Sequence, residues 1–454
     1  VVGADFSEAV GGTNSNNQYG SVYLINDPFG TASLTGIIGK DAIGAGSYDL
    51  TTLDTKDHFG SSVSLSGNQL VIGAERDSGL GVNSNTAQYG AVYLFTDPFT
   101  TPTLTGIIGK DYIGANNLDL SANLNTFEHL GSAVSLSGTQ LIIGADQSRN
   151  SVNDGNFYGA VYLIDTPFTN PTLSGVIGEG FNAVVDMSAF SLDNSKFGAS
   201  VTLSGTQLVI GASGYQSSDT FSNPGAIFLI DDPYGTASVS GVIGAGYSGT
   251  GDFNISNLED GDDFGSSVSL SGGKLVVGGM GDGGYANVAS NQGAVYLIDD
   301  PFGTVSLKGI IGQGYSSAGD FNINALDVGD SFGESISLDG NQLAVGFRGD
   351  DGQGWQTFNA GGVFLFTDPY GTPSLSGIIG ADYTGPGNFD VTNLETGDGF
   401  GSAVSLNGTQ LVVGAPWEAG SGNAVDYSGA VYLFNDPFGA TSLYSIIGKG
   451  YSGG

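Results

Sequence analysis

An all-β fold assembled from about seven repeats is predicted by three observations. A segment such as Phe59-Gly60-Ser61-Ser62-Val63-Ser64-Leu65-Ser66-Gly67 recurs six times, starting at Phe59, Leu130, Phe197, Phe264, Phe332 and Phe400, with a period of about 68 residues. Within each period, apolar residues alternate with small polar ones or form short runs bounded by Gly, Asn, Asp and Pro, which is the patterning of strands. No stretch carries a helical period. One unit of this length has too small a core to stand alone, so residues 1–454 are expected to form one domain of stacked repeats.

Residues 59–110 illustrate the elements in order. Phe59, Ser61, Val63 and Leu65 alternate with small polar residues, as in a half-buried first strand. Ser66-Gly67-Asn68 turns the chain, and Leu70-Val71-Ile72-Gly73-Ala74 reads as a buried second strand. A polar stretch follows as far as Tyr89, then Gly90-Ala91-Val92-Tyr93-Leu94-Phe95 supplies a third strand. Thr96-Asp97-Pro98-Phe99 marks a turn, because proline fixes φ and aspartate can accept from the backbone ahead of it. Leu104-Thr105-Gly106-Ile107-Ile108-Gly109 closes the unit as a fourth strand.

Four short antiparallel strands per unit, repeated about seven times, are what a seven-bladed β-propeller requires. The second strand recurs seven times, at Val1, Val71, Ile142, Val209, Val276, Ala344 and Val412. The third recurs seven times around Tyr23, Tyr93, Tyr162, Phe228, Tyr296, Phe364 and Tyr432, and the turn proline at Pro28, Pro98, Pro167, Pro233, Pro301, Pro369 and Pro437. Only the first strand is one copy short. The expectation is therefore one incomplete blade, either completed by residues outside this sequence or left with three strands. The abrupt start at Val1-Val2-Gly3-Ala4 suggests a processed product or a piece of something longer.

Composition narrows the function. Asp and Glu number 45 against 10 Lys and Arg, a formal charge of −35. Such a surface repels phosphate backbones and anionic membranes, so nucleic acid is not an expected partner. No apolar run is long enough for a transmembrane helix. The absence of cysteine excludes disulfides and thiolate metal sites, and it is compatible with an extracellular setting.

The Phe-Gly start, the Val-Ser-Leu-Ser-Gly strand, Leu-Val-Ile-Gly-Ala and Gly-Ala-Val-Tyr-Leu-Phe together resemble FG-GAP repeats. These build the seven-bladed propeller of integrin α chains and of many bacterial surface proteins, and the variant here is most similar to tandem repeats of large bacterial adhesins. The resemblance implies an extracellular or surface-displayed, non-enzymatic protein with an adhesive or structural role. Two features depart from the integrin pattern. The Asp-x-Asp-x-Asp-Gly calcium loop is absent: its place reads Ser66-Gly67-Asn68-Gln69 or Ser271-Gly272-Gly273-Lys274, and Asp339 is the one carboxylate at these hairpins. The full Gly-Ala-Pro occurs once, at Gly414-Ala415-Pro416.

In an up-and-down blade the two-to-three and four-to-one connections share one end, and here both are long and variable. Variable loops on a rigid scaffold are the usual place for binding, so partners are expected on that face. Its carboxylates Glu259, Asp262, Asp263, Asp327, Asp330, Glu395 and Asp398, with Asp54 and Asp57, are the candidate calcium ligands. The competing reading is solvated turn carboxylates, because the spacing fits no standard calcium loop. A recurrent aromatic, including Tyr247, Tyr315 and Tyr383, either stacks on sugars or packs between blades. Trp355 and Trp417 do not repeat, which nominates them for a contact surface. Arg348-Gly349-Asp350 aligns with Glu75-Arg76-Asp77 and reads as one variant of an Asp-containing turn.

An enzyme is not expected. His58 and His129 share one repeat position, held elsewhere by Lys196, Asp263, Ser331 and Gly399, which reads as a tolerant surface slot. No nucleophile elbow, phosphate loop or zinc helix occurs. The partner is expected to be a protein or glycan on a surface, with self-assembly through subunit contacts as a further expectation. The alternative function is a propeller lectin.

Overall fold

A computed structural model describes residues 1–5, 18–30, 33–80, 87–149, 156–181, 184–216, 223–287, 289–354, 357–420, 429–448 and 451. It is all-β: seven separate sheets follow one another along the chain as the blades of a β-propeller. The second sheet is typical. Its strands Phe59–Ser66, Gln69–Ala74, Ala91–Thr96 and Thr103–Gly109 pair antiparallel in sequence order. A fifth strand that sequence patterning does not show, Leu118–Asp119, pairs parallel with Ile108 and Gly109. Two residues are too few to carry a period. The first sheet begins with Val2–Ala4, which pairs with Ser21–Asn26 as a second strand does. Among the described residues the first sheet has no counterpart of the Phe-Gly strand.

The chain divides into two compact units, Val1–Tyr215 with Ile230–Val239, and Gln216–Leu229 with Ser240–Gly454. Within each, the core lies between consecutive sheets. In the first unit, Val22, Leu24 and Ile38 of the first sheet pack with Phe59, Leu70, Ile72 and Tyr93 of the second. In the second unit, Val363 and Leu365 of the sixth sheet pack with Phe400, Leu411, Val413 and Tyr432 of the seventh. A single repeat therefore cannot bury its own apolar face.

The small polar residues of the first strands meet the next sheet. Ser62 Oγ donates to Gly131 O at 2.7 Å and Ser64 Oγ accepts from Leu136 N at 3.0 Å. Ser267 to Gly333, Ser335 to Gly401 and Ser337 with Leu406 repeat this in the second unit. The turn reading holds as well. Asp232, Asp300, Asp368 and Asp436 each accept from a backbone N–H four residues ahead, at 2.8–3.1 Å.

Candidate interaction face

The long connections stand on buried carboxylates. Asp77, Asp282, Asp350 and Glu418 occupy one repeat position, three residues past the second strand, and all are buried. Asp77 accepts from Tyr93 at 2.7 Å and Tyr112 at 2.9 Å, and Asp282 from Tyr296 at 2.6 Å and Tyr315 at 2.8 Å. Tyr383 donates to Asp350 at 2.8 Å and Tyr451 to Glu418 at 2.6 Å. The same carboxylates hold the turn by accepting from Gly79, Gly284 and Gly420 N–H.

A second buried carboxylate precedes each of these in the chain. Asp57, Asp262, Asp330 and Asp398 accept from the N–H of Asp54, Glu259, Asp327 and Glu395, each at 2.7 Å. Burial, with the charge of Asp282 second, pushes Asp262 up to about 8. Burial likewise pushes Asp330 up to about 8, with Asp350 adding to it against the Asp327 N–H. Asp57 and Asp77 are both raised, again chiefly by burial. A charge removed from water disfavours its own ionised form.

The third and fourth sheets keep the geometry and exchange the chemistry. In the third, Ser148 stands at the Asp77 position and donates to Glu128 at 3.2 Å, and Phe181 replaces the tyrosine. In the fourth, Tyr215 stands there and donates to Phe190 O at 2.5 Å.

The sequence candidates fall as follows. Tyr315 and Tyr383 are 2 % and 6 % exposed and serve as anchors, so neither is available to stack on a sugar. Tyr247 is half-buried. Trp355 lies outside the described residues. Trp417 is half-buried against Gly399, and the Arg348 guanidinium sits 5.4 Å from its ring centroid while pairing with Glu334 at 2.8 Å. Asp350 is buried, so Arg348-Gly349-Asp350 is not presented as an exposed tripeptide.

Of the candidate metal ligands, Glu259 and Glu395 are exposed, Asp263 and Asp327 are half-buried, and Asp262, Asp330 and Asp398 are buried backbone acceptors. Those last three are therefore not solvated turn carboxylates. Among the described residues no group of three or more His, Cys, Asp or Glu could hold a metal ion. His58 and His129 are also buried, which corrects the reading of a surface slot. What unites the slot is a left-handed backbone: φ is +56, +58, +53, +54, +58 and +65 at His58, His129, Lys196, Asp263, Ser331 and Gly399.

The face opens in the fifth sheet. Tyr285, in the two-to-three connection, is 55 % exposed and meets the ring of the buried Tyr315 edge-on, with centroids 6.0 Å apart. These two rings, with Ser256, Asn257 and Glu259 from a four-to-one connection, line a cavity of about 200 Å³. Asn257 also lines an adjoining cavity with Lys308, Ser317 and Asp320. Sequence reading nominated Glu259 and Tyr315 but missed Tyr285. Like the tryptophans, Tyr285 is a non-repeating aromatic in a two-to-three loop, and that signal was available.

Seven sheets in chain order, first strands that rest on the sheet before, and a carboxylate–tyrosine anchor within four of the sheets define a repeat-built β-propeller. Residues 53–95, 256–298 and 392–434 match the FG-GAP repeat family, so the chain carries FG-GAP repeats. The matches fall on the second, fifth and seventh sheets, from just before the Phe-Gly strand through most of the third strand. No curated protein matches the chain.

Proposed function

We propose that this chain is a non-enzymatic, extracellular or surface-displayed scaffold with an adhesive role, binding a protein or glycan through its long-loop face. FG-GAP repeats are typical of extracellular and surface proteins, and the chain carries three matches to them. The observation that carries the reading is Tyr285, an exposed aromatic lining a cavity together with the hydrogen-bonding side chains of Ser256, Asn257 and Glu259. An exposed aromatic beside polar groups is what a hot spot in an interface needs, and it is also what stacks on a sugar ring. Its neighbour Tyr315 is held by Asp282, so the cavity floor is fixed before any ligand arrives.

Glycan-array and cell-surface binding of the purified chain test this. Binding is lost in Tyr285→Ala and retained in Tyr383→Phe, whose anchor lies in another sheet. Surface binding that Tyr285→Ala leaves unchanged removes the long-loop face from the proposal. A glycan-array signal that depends on Tyr285 selects the lectin reading over protein adhesion.

A further inference from the structure

The slot that carries Tyr285 is repeated, and only its side chain changes. Leu80, Tyr285 and Gln353 each stand three residues past the buried carboxylate of their sheet, Asp77, Asp282 and Asp350. Their backbone N–H groups donate to Lys110 O, Gln313 O and Ala381 O at 3.2, 2.8 and 3.0 Å. In the second sheet that seat carries an aliphatic chain. In the sixth it carries an amide whose oxygen already accepts from Thr384 N–H. In the fifth it carries an exposed phenol ring. The turn beneath the ring is closed by Asn287 N–H, which donates to Gly284 O at 2.8 Å, so its backbone is set before any ligand arrives.

The groups around the ring have a definite chemistry. Ser256, Asn257 and Glu259 line the same cavity from the connection before the sheet. The matching positions hold Thr51, Thr52 and Asp54 before the second sheet, and Asn324, Ala325 and Asp327 before the sixth. Glu259 is exposed, and none of the ion pairs among the described residues includes it. The adjoining cavity, which shares Asn257, has a cation in Lys308, and Asp299 pairs with it at 3.2 Å. Its Asp320 accepts from Ile310 and Ser317 N–H at 2.8 and 2.7 Å. The charge left to the two cavities is therefore negative, on a chain of formal charge −35. The floor has the same polarity, because a phenol that donates to a carboxylate, as Tyr315 does to Asp282 at 2.8 Å, has a more electron-rich ring.

We infer that these joined cavities take a chain of amino sugars whose amine is free and protonated. The inference rests on the long-loop reading and names the ligand chemistry of that same site. One sugar stacks the C–H face of its ring on Tyr285, its ammonium pairs with Glu259 beside the tyrosine rings, and its hydroxyls satisfy Ser256 and Asn257. The next sugar continues past Asn257 toward Ser317. Each cavity measures about 200 Å³, so only the two together reach the size of a small-ligand site. An acidic sugar meets Glu259 and the whole chain with the same sign of charge. A neutral or N-acetylated sugar leaves Glu259 without a counter-charge. A lysine side chain brings the charge, but its methylene stem leaves Ser256, Asn257 and Ser317 unpaired once water is displaced.

The test is calorimetric titration of the full chain, in mildly acidic buffer, with a glucosamine tetramer, its N-acetylated counterpart and a glucose tetramer. Saturable binding of the glucosamine tetramer at one site per chain is expected, with the other two weaker by about tenfold or more. Glu259→Gln erases that preference and Tyr285→Ala removes the binding. Both variants keep the melting temperature of the wild type, because both side chains are exposed. Added salt narrows the preference, as it does for any exposed charge pair. Equal affinity for the free and acetylated amines, or a preference that Glu259→Gln leaves intact, overturns the inference. So does Tyr285-dependent binding of a lysine-rich peptide in place of the glucosamine tetramer. Binding that depends on Tyr285 without regard to the amine overturns this inference and leaves the long-loop reading standing; if no ligand depends on Tyr285, both fall.

Discussion

Phe347 and Gly362 face each other across the second and third strands of the sixth sheet, and the ring tip fills the space of the missing side chain. A Cβ on Gly362 would stand 2.6 Å from Phe347 Cζ. The same cross-strand pair is Ala74 with Ala91 in the second sheet, Ala145 with Ala160 in the third and Ala415 with Ala430 in the seventh. The sixth sheet therefore solves one packing problem by a large–small exchange where the others use two small residues.

Gly362→Ala alone is expected to cost about 1–3 kcal/mol by overpacking, and Phe347→Ala alone about 3–5 kcal/mol by leaving a cavity. The double variant restores the alanine pair and loses less than the sum. Urea denaturation of the four proteins measures the coupling. Strict additivity would show that the two residues do not compete for one space.

Asp350 Oδ2 is buried with no hydrogen-bond partner among the described residues. At the position of Phe364 the second and fifth sheets place Tyr93 and Tyr296, whose hydroxyls bond the equivalent aspartates. Phe364→Tyr supplies the missing donor and is expected to stabilise the chain by about 1 kcal/mol. The gain is larger at pH 8 than at pH 5, because the hydroxyl favours the ionised carboxylate. A melting temperature that falls in the variant would mean the hydroxyl finds no room.

Asp262 and Asp330 make stability depend on pH in a definite direction. Their folded pKa values, about 8, lie above the ordinary value of 3.8, so folding takes up protons that the unfolded chain would release. Their contribution is fully present below the unfolded value and is lost as pH rises toward 8. The melting temperature should therefore climb as the buffer is taken from about pH 8 to about pH 5. Asp262→Asn and Asp330→Asn keep a backbone acceptor without the titration, and each should flatten that slope. Parallel curves for wild type and variants would refute the assignment.

Tyr315→Phe separates scaffold from surface. It removes a hydrogen bond to the buried Asp282, so a loss of about 1.5–3 kcal/mol is expected in chemical denaturation. The ring remains as the cavity floor, so binding at Tyr285 persists under conditions where the variant is folded. A change in affinity without a change in stability would place the hydroxyl in the ligand site.

Much of the fold was legible because its signals are local. The Phe-Gly period, the alternation at Val63 and Leu65, and the Asp-Pro turns each follow from residues a few positions apart, and all appear where the pattern puts them. The two-residue strand Leu118–Asp119 was not legible, since it is defined by its parallel neighbour and not by its own sequence.

The site was legible only in outline. Glu259 and Tyr315 were nominated, but as a metal ligand and a stacking ring; the structure makes one a cavity wall and the other an anchor. Their roles depend on Asp282, which lies 33 residues before Tyr315 and carries no local mark of burial.

The sequence by itself determined the four longer strands of a repeat, their order, the hairpins and the repeat count, because strand periodicity and turn chemistry are written within a few residues. Only the tertiary structure decided which polar groups leave water. Ser62 and Ser64 bind the next sheet, Asp262 becomes a buried acceptor, and His58 is enclosed, because burial is set by a neighbouring sheet about one repeat away.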